Sequence, residues 1–132
     1  MTLAAGDGSW SSVSDENLKE NFADIDYLDL LRRLAQVPVT TWNYKSQDAS
    51  IRHMGVMGQD FYAAFGVGEE ETRITTIDAD GVALAAIQAL YRLTLDKDKK
   101  IEQLTAELRH YAQEIQQLRQ RLVRLEGALI NE

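Results

Sequence analysis

The sequence predicts an α+β protein, in which a small mixed head domain is followed by a long C-terminal helix that forms a parallel coiled coil. Two observations lead to this prediction. Apolar residues alternate at spacings of three and four from Ile101 to Leu129 without a break. Upstream of that region, short segments alternate between helical periodicity and the period-two pattern of β-strands. The predicted boundaries are 1–13 for a leader, 14–95 for the head and 96–132 for the coiled coil.

The C-terminal region carries a heptad pattern. The a positions are Ile101, Leu108, Ile115, Leu122 and Leu129, and the d positions are Leu104, Tyr111, Leu118 and Leu125. A 3.5-residue repeat keeps one apolar seam facing a partner helix, and at about 1.5 Å per residue this seam is about 40 Å long. The alternative, an amphipathic helix packed on its own domain, rarely holds so strict a period. We therefore expect this helix to self-associate.

Charged residues beside the seam favour parallel helices. In a parallel arrangement in register, Glu114 at g faces Arg119 at e of a neighbour, and Arg121 at g faces Glu126 at e. Each exposed pair contributes only about 0.2 to 1 kcal/mol. The a and d residues lie between the preferences of dimers and trimers, so the heptads alone leave the number of helices open.

Composition argues against several classes of function. The chain has no cysteine, which excludes disulfides and thiol chemistry. Its only histidines, His53 and His110, are far apart in sequence, so we expect no metal site, and nothing indicates a cofactor. The net charge is −7 and no basic stretch leads into the coil, which argues against nucleic-acid binding of the basic-zipper type. No signal peptide or apolar run of about 20 residues is present, so no membrane partner is expected.

The first half of the chain predicts a leader, a helix and a hairpin. Residues 1–13 are rich in Gly, Ser and Ala and are interpreted as a leader that links to something upstream. A short amphipathic helix is expected from Asp24, with Pro38 closing the segment. Its predicted apolar face consists of Ile25, Leu28, Leu31 and Leu34. Residues 37–45 and 51–57 are predicted to be strands that pair around a polar turn.

The second half of the head predicts two helices separated by a strand. Residues 59–65 indicate a short helix that Gly66 ends. A further strand is expected over 73–77. Residues 81–95 are rich in Ala and Leu and predict a helix that packs on the domain and continues through residues 96–100 into the coil.

Residues 14–19 have an ordinary structural interpretation when they are taken alone. Ser14 is a favoured N-cap, acidic residues suit a first helical turn, and Lys19 would be a solvated lysine. That interpretation changes because four motifs occur in order along the chain. They are Ser-Asp-x-x-Leu-Lys-Glu-Asn from Ser14, Val-Thr-Thr-Trp-Asn-Tyr-Lys from Val39, Arg-His-Met-Gly-Val-Met-Gly-Gln-Asp from Arg52, and Ile-Asp-x-x-Gly-Val-x-Leu-Ala-Ala-Ile-Gln-Ala-Leu from Ile77.

Together with the coiled coil, these motifs resemble the peptidase S74 family. Its members are the C-terminal intramolecular chaperone domains of phage endosialidases and other tailspikes and tail fibres, with relatives in bacterial adhesins and in the myelin regulatory factor. The resemblance extends from Ser14 to the end of the chain. It implies a homotrimer that assists the folding of a β-rich passenger upstream in the same polypeptide and then releases itself by autoproteolysis.

The resemblance also assigns residues and partners. The family's Ser-Lys dyad corresponds to Ser14 and Lys19, and cleavage next to the serine places the cut at the Val13-Ser14 bond. Such an enzyme acts once, needs no cofactor, and has its own copies and its passenger as partners. The implied location is the cytoplasm of the producing cell during assembly, and the parent protein would be a virion tail component or a surface adhesin.

The chemistry explains why these residue types are needed. A serine hydroxyl is a poor nucleophile unless a base takes its proton, and a neutral lysine amine can act as that base. A lysine with the usual pKa near 10.4 is neutral in only about one molecule in a few thousand at pH 7, so Lys19 must be desolvated or placed near other cations.

The spacing of the two residues adds a constraint. Five residues along a helix leave two side chains roughly 140° apart, and an odd spacing in a strand puts them on opposite faces. Therefore either the backbone turns between Ser14 and Lys19, or the pair forms between protomers. Our hypothesis is that assembly of the trimer completes the site.

Two further residues carry expectations. His53 lies in the Arg-His-Met-Gly motif and is a candidate accessory residue, although a histidine on a short strand is more often a hydrogen-bonded structural residue. Gly58 stands where the family more often has alanine, and we expect a difference in packing there without loss of activity. Two other functions stay open: a non-cleaving trimerisation and folding module in which Ser14 and Lys19 are relics, and a coiled-coil adaptor unrelated to the family.

Overall fold

The computed structural model describes residues 12–130. Its elements, in order, are a 3₁₀ turn at Glu16–Leu18, α1 at Tyr27–Leu34, β1 at Thr40–Trp42, β2 at His53–Gly55, α2 at Gly58–Phe65 and α3 at Thr76–Ile130. All of the predicted leader except Ser12 and Val13 lies outside the described residues. The predicted mixed head and long C-terminal helix are confirmed, whereas the association of that helix with other copies stays a prediction.

The chain divides into two units, Met1–Leu90 and Tyr91–Glu132, and α3 contributes to both. The first unit contains both strands, the two short helices and the first turns of α3. The second unit is helical throughout its described part.

Helix α1 begins at a carboxylate cap. The side chain of Asp26 accepts a hydrogen bond from the backbone N–H of Asp29 at 3.0 Å, which satisfies one of the free donors of the first turn. One turn later, Arg33 pairs with the carboxylate of Asp29 at 2.8 Å. The helix therefore starts three residues later than the predicted start at Asp24.

The face of α1 that is buried also differs from the predicted one. The buried side chain is Leu30, whereas Ile25 and Leu28, both predicted to face the core, are exposed. The face that packs inward consists of Tyr27, Leu30, Leu31 and Leu34, which follow the i, i+3, i+4, i+7 spacing of one helical stripe.

The core of the head lies where α1 meets α3. Leu30, Ala85 and Ala86 are buried together, with Phe65 of α2 packed against them. Alanine side chains are short, so they let the leucine approach the α3 backbone closely. The hydroxyl of Tyr27 donates to Gln88 of α3 at 3.3 Å beside this contact.

The predicted hairpin is present, but its strands are shorter than expected. Strands β1 and β2 are antiparallel, with Thr40 opposite Gly55 and Trp42 opposite His53. Each strand has three residues. Arg52, just before β2, links the two sides of the hairpin by donating to the hydroxyl of Thr41 in β1 at 2.9 Å.

Helix α2 ends at a glycine, as predicted. Gly66 has φ of 62°, a left-handed conformation that costs glycine little, and its N–H donates to the carbonyl of Tyr62. Helices α1 and α2 are also joined by Arg33, which donates to the carbonyl of Ala64 at 3.0 Å.

The strand predicted over 73–77 is wrong, because helix α3 begins there. The hydroxyl of Thr75 accepts a hydrogen bond from the backbone N–H of Asp78 at 3.1 Å and donates to the Asp78 carboxylate at 2.6 Å. This reciprocal cap starts a helix at Thr76, and it overrides the β-propensity of the Thr and Ile residues. The helix predicted from residue 81 therefore begins five residues earlier.

Beyond Tyr91, helix α3 exposes its apolar seam. The a and d side chains are all exposed in the single chain, from 44% for Leu104 to 75% for Leu129. Such a long apolar stripe is unusual on a monomer and marks an interaction surface. Among the described residues, no helix combines the length and the apolar character needed to cross a membrane.

Gly58 is a point of close approach between α2 and the segment that follows it. A Cβ atom on Gly58 would lie 2.7 Å from the carbonyl oxygen of Glu71 and 2.9 Å from the carbonyl carbon of Thr72. These are backbone atoms, so they cannot move away as the end of a flexible side chain could. The packing difference predicted at this position therefore has a physical basis: the segment at 71–73 occupies the space that an alanine methyl would need.

We expect Gly58→Ala to lower the free energy of unfolding by about 1 to 3 kcal/mol, because the methyl group would displace backbone. Chemical denaturation at a fixed protein concentration measures this change. Gly81→Ala is the matched control: nothing lies within 4 Å of its Cβ position in α3, so it should stabilise the protein by about 0.5 to 1 kcal/mol. An alanine at 58 that leaves stability unchanged would contradict the close approach.

Candidate catalytic site

The segment between Ser14 and Lys19 folds into a tight turn. The Asp15 carboxylate oxygen Oδ1 accepts from both the backbone N–H and the side-chain amide of Asn17, each at 2.9 Å. Two main-chain bonds close the turn, from Leu18 N–H to the Asp15 carbonyl at 3.2 Å and from Lys19 N–H to the Glu16 carbonyl at 3.1 Å. The backbone is thus extended at Asp15, turns through Glu16–Leu18 and is extended again at Lys19.

The turn brings the two predicted site residues together within one chain. Lys19 Nζ donates a hydrogen bond to Ser14 Oγ at 2.6 Å. Of the two routes that the five-residue spacing allows, this structure takes the first, in which the backbone turns between them. A protomer therefore does not need a second copy to supply the lysine. The distance is within the 2.6 to 3.2 Å reach expected between a nucleophile and its base.

Asn21 redirects the chain just after this contact. Its φ is 57°, in the left-handed region that asparagine tolerates better than most residues with a side chain. Residues 22–26 then lead without regular structure to the start of α1. Two features thus set the course of the chain around Lys19: the turn capped by the Asp15 carboxylate before it and the left-handed conformation of Asn21 after it.

The whole segment is exposed in the single chain. Ser14 and Lys19 are both exposed, and so are all residues from Ser12 to Asp26. The apolar side chains of Val13, Leu18 and Phe22 are more than 70% exposed. The described residues of one chain therefore do not supply the dry environment that would favour a neutral lysine.

The electrostatics of the turn follow from its hydrogen bonds. The backbone N–H of Asn17, and to a smaller extent its side-chain amide, hold the pKa of the Asp15 carboxyl below the usual value of 3.8, while desolvation acts weakly in the opposite sense. The carboxylate is therefore ionised at neutral pH and acts as an acceptor only.

His53 belongs to a separate cluster on the hairpin. Its Nε2 lies 2.9 Å from Gln47 Oε1, and its ring is 4.9 Å from the Trp42 ring and 5.6 Å from the Tyr44 ring. Within residues 12–130, no hydrogen bond joins His53 to Ser14 or Lys19. Its accessory role stays a prediction.

The part of the chain that the structure describes contains no group of three or more His, Asp or Glu residues placed to hold a metal ion. The candidate site therefore consists of a serine, a lysine and the turn that joins them. A serine with a lysine at hydrogen-bond distance is a pair that can carry out nucleophilic chemistry on a carbonyl.

Comparison with family models identifies the same region of the chain. Residues 14–67 match Peptidase_S74, described as chaperone of endosialidase. This is the family that the motifs predicted. The match begins at Ser14 itself and extends through α2, so it includes the turn, α1 and the hairpin. A comparison with curated proteins found no match to the chain.

Residues 14–67 are thus similar to a family that is described as chaperone of endosialidase and named as a peptidase. The sequence had singled out Ser14 and Lys19 within it, but the part played by Asp15 and Asn17 was missed. A possible signal was present, since an aspartate two residues before an asparagine suits a turn in which the aspartate side chain bonds to the backbone two residues on.

We expect the carboxyl group of Asp15 to titrate below 3.8 when it is followed by NMR. Asn17→Ala removes the side-chain donor and keeps the backbone N–H, so it should raise the pKa of Asp15 only partly toward 3.8. Since the folded pKa is lowered, the contribution of Asp15 to the turn is present above pH 3.8 and is lost as the pH falls through the folded pKa. A midpoint at or above 3.8 would contradict the two hydrogen bonds.

Proposed function

We propose that this protein is an intramolecular chaperone that forms a trimer, assists the folding of a β-rich passenger upstream in its own polypeptide, and then releases itself by cutting the Val13-Ser14 bond. The observation that carries the proposal is the 2.6 Å contact between Lys19 Nζ and Ser14 Oγ at the start of a segment that matches the endosialidase chaperone family. The enzyme turns over once and needs no cofactor.

The first chemical step is an attack by Ser14 on the bond that precedes it. Neutral Lys19 accepts the hydroxyl proton, and Oγ forms a bond to the carbonyl carbon of Val13. The bond between that carbon and the Ser14 nitrogen then breaks, and the nitrogen takes the proton that Lys19 holds. The product is an ester that joins Val13 to the Ser14 side chain, with a free amine on Ser14.

The second step is hydrolysis of that ester. Lys19 takes a proton from a water molecule, which adds to the ester carbonyl and releases the carboxylate of Val13. In this release the bond between the carbonyl carbon and Ser14 Oγ breaks, Oγ takes the proton held by Lys19, and the new carboxyl group of Val13 gives its own proton to solvent. The passenger leaves with a new C-terminus at Val13, and the chaperone keeps Ser14 as its N-terminus.

Assembly provides what the single chain lacks at this site. A lysine base works when it is desolvated, and Lys19 is exposed in one chain. The apolar side chains of Val13, Leu18 and Phe22 lie close to Ser14 and Lys19 in the sequence and are exposed. Their exposure favours an arrangement in which another protomer covers the site. Cleavage would then follow trimer formation and report that assembly is complete.

The exposed seam of α3 supports self-association. Its a and d positions continue for about 40 Å, and all of these side chains are at least 44% exposed in the single chain. The heptads leave two or three helices open, and the family resemblance favours three. The same resemblance supports a parent protein in a phage tail or a surface adhesin, assembled in the cytoplasm of the producing cell.

One observation favours a second function. Because Ser14 and Lys19 are exposed in the single chain, a module that trimerises and assists folding without cutting is consistent with the same structure. Mass measurements separate the two functions.

Intact-mass spectrometry of the expressed chain tests the cleavage. We expect loss of residues 1–13, and we expect Ser14→Ala and Lys19→Ala to stay whole, because a positioned base accelerates such a step by about 10² to 10⁴. Lys19→Arg is the sharpest variant: it keeps a positive charge that can donate to Ser14 but does not give up its proton, so it should also stay uncut.

Ser12→Ala is the matched control, since it removes a neighbouring exposed hydroxyl and should leave cleavage intact. If the parent stays whole, a longer β-rich passenger is fused upstream and the measurement is repeated. A trimer that remains uncut in that fusion would refute autoproteolysis and support the non-cleaving module.

Leu118→Lys tests the coiled coil. A charge at this d position faces the seam, so we expect native mass spectrometry to show monomers and the cleavage rate to fall at least tenfold. Gln117→Lys, one residue earlier and outside the seam, should keep both the assembly and the rate. A monomeric Leu118→Lys protein that cuts at the parental rate would show that assembly does not complete the site.

A further inference from the structure

We propose that Asp15 is a positioning residue of the candidate active site: its carboxylate holds the turn that sets Lys19 against Ser14. This inference rests on the proposed function, because it concerns the same dyad. Nothing in the Ser-Lys chemistry itself requires an acidic residue at this position, so the role follows from the hydrogen bonds of the turn.

The turn is too short to be stable by its main chain alone. It spans Glu16–Leu18, with two main-chain bonds of 3.1 and 3.2 Å, and short 3₁₀ segments have poor hydrogen-bond geometry. Asp15 adds two shorter bonds of 2.9 Å, in which the backbone N–H and the side-chain amide of Asn17 donate to the charged Asp15 carboxylate. Hydrogen bonds to an ionised carboxylate are stronger than bonds between neutral groups. The two bonds to the Asp15 side chain are therefore the stronger pair among the four bonds that hold the turn.

Packing does not hold the turn in the single chain. Every residue from 12 to 26 is exposed, and the first buried side chain that follows is Leu30 in α1. The conformation that joins Lys19 to Ser14 therefore depends on local hydrogen bonds. Once the Asp15 cap is removed, the lysine side chain samples many positions and the reacting atoms meet less often.

The geometry argues against a direct chemical role for Asp15. Its Oδ1 atom is occupied by two donors from Asn17, and the lowered pKa means that the group carries no proton at neutral pH. It can therefore neither act as a general acid nor lose its acceptor bonds without opening the turn.

The rate of self-cleavage in the full chain tests this role. Asp15→Ala removes the acceptor, and we expect a loss of roughly tenfold. Asp15→Asn keeps an oxygen at the same place and should restore the rate to within about threefold of the parent, because asparagine is an equally good cap. Glu16→Ala is the matched control: the turn uses only the main-chain carbonyl of Glu16, so the rate should not change.

A second readout does not depend on cleavage. In the Ser14→Ala background the chain stays whole, and the methyl group introduced at position 14 should show a nuclear Overhauser contact to the Lys19 side chain. Adding Asp15→Ala should abolish this contact, and adding Asp15→Asn should keep it. The unfolding midpoint should be the same in all three proteins, because the segment is exposed.

The outcomes are distinguishable. A parent that is never cut, combined with loss of the contact in the Asp15→Ala protein, would refute the proposed function and leave the positioning role in place. Normal cleavage of Asp15→Ala, or a contact that survives it, would overturn the positioning role while the dyad stands. Equal losses in Asp15→Ala and Asp15→Asn would also overturn it, since an acceptor oxygen at position 15 would then not be what holds the turn.

Discussion

The contact between α1 and the small residues of α3 is the interaction on which the head depends. Leu30 is buried against Ala85 and Ala86, with Phe65 of α2 beside it. Burying a leucine contributes about 1.5 to 3 kcal/mol, which is a large share in a domain this small. This contact holds α1 against α3, and the segment that carries Ser14 and Lys19 precedes α1 in the chain.

A small core leaves much apolar surface uncovered. The segment before α1 exposes Val13, Leu18 and Phe22, and the seam of α3 exposes every a and d side chain. These features have the same physical consequence, because apolar surface in water favours association. Linking the chemistry of the dyad to this association would ensure that a passenger is released only after its chaperone has assembled.

The contact between Ser14 and Lys19 depends on very little structure. Two residues five apart cannot meet in a regular helix or strand, and a three-residue turn solves this geometric problem. The turn is local and exposed, so its precision comes from hydrogen bonds and not from packing. In the proposed function, this site is already formed in one chain and gains its dry environment from the other protomers.

The sequence alone determined the heptad seam, the hairpin and the end of α2 at Gly66, because these depend on short-range patterns. Its resemblance to a family supplied Ser14 and Lys19 as candidates, and the turn that joins them within one chain came from the structure. The sequence did not determine where α1 and α3 begin. Residues 73–77 have the composition of a strand, and only the reciprocal cap between Thr75 and Asp78 decides for a helix.

The tertiary structure also decided that Leu30 is buried while Ile25 and Leu28 are exposed, since burial depends on which face meets the alanines of α3. Likewise, the space at Gly58 is set by a backbone segment thirteen residues away in sequence, which no local pattern encodes.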